Sequence, residues 1–291
     1  MAYLFINPVH NSSITLLPMI FSSGKFQLDL SRPHVMGIVN ITPDSFSDGG
    51  RYASTEKAIA HAMQLVADGA DILDIGGEST RPGATPVSLE EELSRVIPVI
   101  EALVGKAGIA ISIDTYKPEV MRQAILAGAD IVNDVRALQE PGALEIVAQS
   151  NAGVCLMHMK GTPQTMQIEP VYDDVVAEVT DFLQERLLAA ESAGIAADRI
   201  VLDPGFGFGK RTAHNLALLQ DLAAIKALGR PLLVGLSRKS VLGQLLGNDV
   251  DERLHASIAA SVISVMKGAS IVRVHDVKAT ADALKVVAAV I

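Results

Sequence analysis

Asn40, Asp114, Asn133 and Asp203 each end a short β-rich run, Lys239 follows another, and Arg273 and His275 close the last. Carboxylates held out of water accept paired N–H donors as a charge-assisted fork, so acids gathered with an amide suit a ligand edge carrying adjacent N–H groups. An arginine adds a rigid donor fork and a histidine a further donor, which suit phosphate oxygens. Taken singly, each residue has a plainer reading. Asp and Asn favour loops, Asp203 starts a turn at Pro204, and Arg273 with His275 pairs with Asp276 at a surface. Seven such residues at one rim, drawn from six strands, exceed turn chemistry.

The elements that must position them repeat along the chain. The expected strands are Val35–Asn40, Asp71–Gly76, Ile109–Asp114, Asp130–Asp134, Gly153–His158, Arg199–Asp203, Pro231–Leu236 and Ser270–His275. Between them runs helical spacing, as in Ile59, Ala62, Met63 and Val66, and again through 88–104, 117–127, 142–151, 173–192, 213–228, 252–267 and 276–290. Strand and helix in alternation predict a parallel sheet with crossovers. Gly69, Gly128 and Gly268 punctuate helix ends, where a left-handed residue frees the chain to turn. A period of about 35 residues suits a closed barrel better than an open doubly wound sheet, although the pattern allows both. The fold class is therefore α/β, a single (β/α)8 barrel. Phe26–Leu30 is expected as a short strand or hairpin closing the barrel bottom. Residues 1–24 read as a weakly structured extension, and 25–291 as one catalytic domain.

Composition excludes several classes. With 24 Lys and Arg against 33 Asp and Glu, the net charge of −9 argues against a nucleic-acid partner. No apolar run is long enough to span a membrane, and no basic segment precedes Ser13–Phe21 as a signal peptide requires. One cysteine, Cys155, permits no intrachain disulfide, which fits a reducing compartment and a cytoplasmic location. Its apolar run marks it as a core residue and not a nucleophile. His61 and His158 stand alone without zinc-ligand spacing. Gly205–Lys210 fails the phosphate-loop pattern, because Arg211 stands where Ser or Thr is needed.

The rim residues lie in runs that resemble the dihydropteroate synthase family: Val39–Gly50, Gly76–Gly83, Ile113–Tyr116, Val132–Asp134, Leu202–Lys210, Gly235–Ser240 and Val272–Asp276. They follow the family's order across residues 25–291, and the first two are specific to it. The resemblance implies a TIM barrel that joins (7,8-dihydropterin-6-yl)methyl diphosphate to p-aminobenzoate and releases pyrophosphate. On that basis Asp203 takes the paired donors of the pterin, Asn133 and Asp114 take other ring nitrogens, and Lys239 donates to the ring carbonyl. Met157 and Phe206 pack on the ring. Asn40, Thr80, Arg273 and His275 form the diphosphate site, with the Asn40 oxygen as a Mg2+ ligand. Phe46, Arg81, Pro82, Phe208 and Ser240 surround p-aminobenzoate, and the helix after Lys239 offers its N-terminus to the carboxylate. The resemblance also implies sulfonamide inhibition and a homodimer packed through late helices.

The expected chemistry needs alignment more than covalent help. Held by Mg2+ and Arg273, pyrophosphate is a good leaving group, and the pterin can spread the charge of a dissociative step. Asp48 is expected to stabilise that cation, so Asp48, Lys239 and Arg273 are the catalytic candidates. The loops Asn40–Arg51 and Ser79–Pro86 are expected to close once the diphosphate binds, and Asp74 to support the rim from beneath. Three rivals differ in testable ways. A folate–corrinoid methyltransferase barrel would use the acids but not Arg273 and His275. A non-catalytic pterin-binding barrel would lack Lys239 or the first loop, and a Schiff-base aldolase would be trapped at Lys239 by borohydride.

Overall fold

A hairpin opens the described chain: β1 (Ile20–Ser23) pairs antiparallel with β2 (Phe26–Asp29). The computed structural model describes residues 19–41, 50–80, 83–162, 166 and 170–290, with the backbone alone for 50–54. After the hairpin come the parallel strands β3 (His34–Asn40), β4 (Ile72–Gly76), β5 (Ala110–Asp114), β6 (Ile131–Asp134), β7 (Gly153–Met157), β8 (Ile200–Asp203), β9 (Leu233–Val234) and β10 (Ile271–Val274). Their order is β8-β7-β6-β5-β4-β3-β10-β9. A Leu202–Leu232 bridge joins the two ends, and Leu202 N–H donates to Pro231 O at 3.0 Å. The sheet is therefore a barrel, and the open alternative falls away.

Helices fill the gaps: α1 (Gly50–Ala67), α2 (Leu89–Leu103), α3 (Pro118–Ala127), α4 (Ala143–Ala148), α5 (Val175–Ser192), α6 (Thr212–Gln220), α7 (Leu222–Lys226), α8 (Ser240–Leu246), α9 (Leu254–Met266) and α10 (Val277–Ala288). Local chemistry starts and stops them. Ser88 caps α2 by accepting from Glu91 N–H, ahead of three acids that favour the positive helix end. Gly69, Gly128 and Gly268 do take positive φ, as their positions demand. The segment 213–228, expected as one helix, breaks at Asp221 into α6 and α7, and α8 is the helix expected after Lys239.

Strand alternation splits the apolar side chains into two cores. One lies between sheet and helices. The other is the barrel floor, to which each parallel strand gives one residue: Met36, Ile72, Ala110, Ile131, Cys155, Val201, Leu233 and Ile271. Phe21 and Leu30 join that floor from the hairpin side. Phe21 is 1% exposed, and a Cβ on Gly153 would lie 2.6 Å from its ring, so only glycine lets the plug seat. Lys25 Nζ reaches Asp130 Oδ1 at 3.0 Å and anchors the same turn. The hairpin thus begins earlier than expected, because Ile20–Ser23 fall within the stretch read as an extension.

Candidate active site

Counting by twos up the strands from the floor residues keeps a side chain on the inner face. Two positions on stand Asp74, Asn133, Met157, Asp203 and Arg273; four positions on stand Asn40, Asp114 and His275. The register sets Asn40 beside Gly76, Gly76 beside Asp114, Asp114 beside Asn133, and Met157 beside Asp203. The barrel therefore brings the strand-borne candidates to one mouth, as their sequence positions implied.

Asp74 is the hub. It is fully buried, and its Oδ2 accepts from Arg273 Nε at 2.5 Å and from Asn133 Nδ2 at 3.0 Å. Arg273 Nη2 donates to Asp114 Oδ2 at 2.7 Å. Burial works against the Arg273 charge, but Asp74 and Asp114 outweigh it and raise its pKa. Burial also pushes the Asp114 carboxyl up to about 7, with Arg273 opposing and Asp74 reinforcing the shift. Asp74 Oδ1 and Asp114 Oδ1 are buried without a hydrogen-bond partner among the described residues, an arrangement costly unless a ligand's donors reach them. The sequence placed Asp74 only beneath the rim. Its 0% exposure and its two donors make it the organiser of Arg273 and Asn133.

Across the mouth, Asp203 Oδ1 accepts from Gly205 N–H at 2.7 Å. Burial raises the Asp203 carboxyl against the pull of Lys239. Burial lowers Lys239 to about 8, although Asp203 favours its charge. The Lys239 ammonium donates to Phe206 O and lies 4.4 Å from the Phe208 ring centroid. Phe206 itself is fully buried in the sheet–helix core, so its side chain serves that core and its carbonyl meets Lys239. Met157, by contrast, lies on the inner face above Cys155. The loop beyond Asp203 presses on β7: a Cβ on Gly205 (φ +67°) would lie 1.8 Å from His158 O.

Further contacts fix the cations. Asp276, the partner a merely superficial Arg273 would take, is held instead by a fork from Arg238 at 2.9 and 2.6 Å. Arg238 adopts φ +56°, a strained value for a side chain with Cβ, and it directly precedes Lys239. Nothing in its residue type announced that. Ser237 Oγ accepts from His275 N–H and lies 3.1 Å from His275 Nδ1. A hydroxyl proton given to Nδ1 makes Nε2 the ring's N–H, the donor a phosphate oxygen needs. Thr80 sits half-buried in the loop after β4, Phe208 is half-buried, and Ser240 is exposed at the start of α8. That β4 loop is clamped by Lys117, whose Nζ donates to Glu78, to Glu92 Oε2 (2.5 Å) and to Val87 O (2.8 Å). Phe46, Asp48, Arg81 and Pro82 lie outside the described residues, as does most of the Asn40–Arg51 loop.

No group of three or more His, Cys, Asp or Glu among the described residues is placed to hold a metal ion. Asn40 ends β3 half-buried, its Oδ1 facing the Gly76 and Asp114 side of the mouth. A hard cation that arrives with its phosphate oxygens needs few protein ligands, and one amide oxygen fits that requirement.

Barrel, mouth and sequence agree on a class: a family model describing pterin binding enzymes matches residues 36–275. The dihydropteroate synthase of Escherichia coli strain K12 is 56% identical over 270 residues, covering 93% of this chain and 95% of its own length. That of Neisseria meningitidis serogroup B is 55% identical over 274 residues, with 92% and 96% covered. Among solved structures, the Xanthomonas albilineans dihydropteroate synthase with 4-aminobenzoic acid superposes with a TM-score of 0.90 at 54% identity, covering 94% of this chain and 98% of that one. The Burkholderia cenocepacia enzyme complexed with 7,8-dihydropteroate gives 0.86 at 51% identity, with 95% and 98% covered. The chain belongs to the dihydropteroate synthase family.

Proposed function

We propose that this chain is a transferase that condenses (7,8-dihydropterin-6-yl)methyl diphosphate with p-aminobenzoate to 7,8-dihydropteroate and pyrophosphate. The observation that carries the proposal is the gathering of two sets of groups in one mouth. The Asp74–Arg273–Asp114 lattice holds Asn133, and Lys239 lies within the charge influence of Asp203, Arg273 and Asp114. Asp203 suits the adjacent amino and ring N–H donors of the pterin, Asn133 and Asp114 its other nitrogens, and Lys239 its carbonyl. Met157 supplies an apolar contact. Arg273, His275 and Thr80 suit the diphosphate oxygens, and Phe208 with Ser240 lines the approach of p-aminobenzoate. Phe46, Arg81 and Pro82 complete that approach by their sequence positions.

In this reading the methylene C–O bond breaks with its electron pair leaving on pyrophosphate, the amine nitrogen forms a C–N bond to the same carbon, and the amine's proton passes to solvent. Arg273 holds the departing oxygens and Lys239 orients the ring by donating to its carbonyl. Asp48 steadies the positive charge that spreads into the pterin. Mg2+, held by Asn40 Oδ1 and the substrate's own oxygens, would supply neutralisation of the leaving charge. The amine is a neutral nucleophile, so the protein's main service to it is alignment.

Pyrophosphate release, followed with both substrates and Mg2+ and with each omitted in turn, tests the proposal. Release that requires all three supports it. Release that ignores p-aminobenzoate means simple hydrolysis and sinks it. A homodimer through the late helices is supported by the exposed Ile263 and Met266 on α9 and Val286 on α10, and light scattering of the purified chain checks it. No helix among the described residues is long and apolar enough to cross a membrane, and Cys155 is buried and unpaired; both support a cytoplasmic setting.

A further inference from the structure

Lys210 ends the loop that follows β8, and only 3% of its surface is exposed. Among the described residues it makes no salt bridge to a carboxylate. Its Nζ donates instead to Gly205 O at 2.9 Å, Phe208 O at 3.1 Å and His158 O at 3.3 Å, and lies 2.8 Å from His158 Nδ1. Burial and the nearby Lys210 charge depress His158 to about 2, so its ring is neutral and Nδ1 can accept. A lysine taken this far from water is costly, and its acceptors show where the cost is recovered. They lie on two segments, the turn from Gly205 to Lys210 and the end of β7.

The turn has a second anchor. Asn215 of α6 accepts from Gly207 N–H at 2.7 Å and donates to Lys210 O at 3.2 Å. There is no slack against the loop after β7, since a Cβ on Gly209 would fall 2.3 Å from Lys160 O. Held this way, the turn presents Phe206 O and the Phe208 ring to Lys239 together. The wall that Phe208 forms is therefore fixed from the rear.

We propose that Lys210 is a positioning residue for the second substrate: by tying the Gly205 and Phe208 carbonyls to His158, it sets the Phe208 ring against Lys239 and so shapes the p-aminobenzoate wall. It acts through the turn and not on a reacting atom. The inference rests on Phe208 being part of that wall. Asp203 is carried on β8 and meets the turn only through Gly205 N–H, so dihydropterin binding depends less on Lys210 than the Phe208 wall does.

Lys210→Met keeps the length of the stem and removes the donors. The expected result is a KM for p-aminobenzoate raised about tenfold or more, because a misplacement of about 1 Å is enough to cost that much. The Kd for the dihydropterin, measured without p-aminobenzoate, should stay within about threefold. Phe208→Ala is run beside it. If Phe208→Ala leaves the p-aminobenzoate KM unchanged, the reading of Phe208 fails and the proposal falls with it. If Phe208→Ala raises that KM and Lys210→Met does not, the proposal alone is overturned. Equal losses for both substrates in Lys210→Met mean a general structural support and also overturn it. Should Lys210→Met not fold, the same split is read on Lys210→Gln, which keeps donors for part of the set.

Discussion

Arg273→Met removes the guanidinium shared by Asp74 and Asp114, and the structure sets both the size of the loss and its pH dependence. Removing one partner from a buried ion pair costs about 3–5 kcal/mol. Arg273 retains 21% of its side-chain surface, so solvent screens part of its charge and the low end, about 3 kcal/mol at pH 8, is expected. The pH dependence follows from Asp114. Its folded pKa stands near 7, above the ordinary carboxylate value, so the folded state holds a proton that the unfolded state has already lost. Stability from such a group declines as pH rises through that window. Without the attraction of Arg273 the folded pKa climbs further and the decline continues past pH 7. The penalty of the variant should therefore grow above pH 7, by up to about 1.4 kcal/mol per pH unit, and be smaller at pH 5.5. Urea unfolding followed by circular dichroism at pH 5.5 and 8 measures it, the chain having no tryptophan to follow by fluorescence. A penalty equal at the two pH values, or under about 1 kcal/mol at pH 8, would refute the lattice as the source of stability.

Asp203→Ala should weaken dihydropterin binding by about 3 kcal/mol, a hundredfold or more, because buried donors are left unpaired. Calorimetry on the folded variant checks this, and unchanged affinity removes Asp203 from the pterin site. Burial lowers Lys239 to about 8, so its donating ammonium is lost above that pH. The kcat/KM for the dihydropterin diphosphate should then fall about tenfold per unit on the alkaline side, a limb that Lys239→Arg abolishes. A wild-type profile flat to about pH 9.5 contradicts the role given to Lys239. Phe21→Ala opens the barrel floor and should cost about 3–5 kcal/mol of stability in thermal unfolding. An unmoved midpoint means the hairpin does not act as a plug.

Strand ends were legible in the sequence because most of the β-rich runs stop on or beside a polar residue, and the period of two then places that residue above an apolar floor. Asn40, Asp114, Asn133, Asp203 and Arg273 could be read this way with no knowledge of their contacts. What escaped notice depends on tertiary partners. Ile20–Ser23 alternate too briefly to announce a strand, and their pairing follows from Phe21 reaching the floor. The break at Asp221 lies within helical spacing that continues across it. Asp74 looked like support because its hub role requires Arg273, far along the chain. Lys210 carried no role in the sequence beyond ending a glycine-rich run that fails the phosphate-loop pattern, and its burial against His158 needs the end of β7.

Asp74 and Arg273 are separated by 199 positions, yet each holds the other in place. The anionic half of the mouth leaves the ribosome long before the cation that neutralises it. A chain still lacking its final strand therefore carries mutually repelling carboxylates where the finished protein has a lattice. Synthesis from the N-terminus thus makes substrate recognition the last property acquired, and a truncation that spares most of the barrel still leaves a protein without a usable pocket.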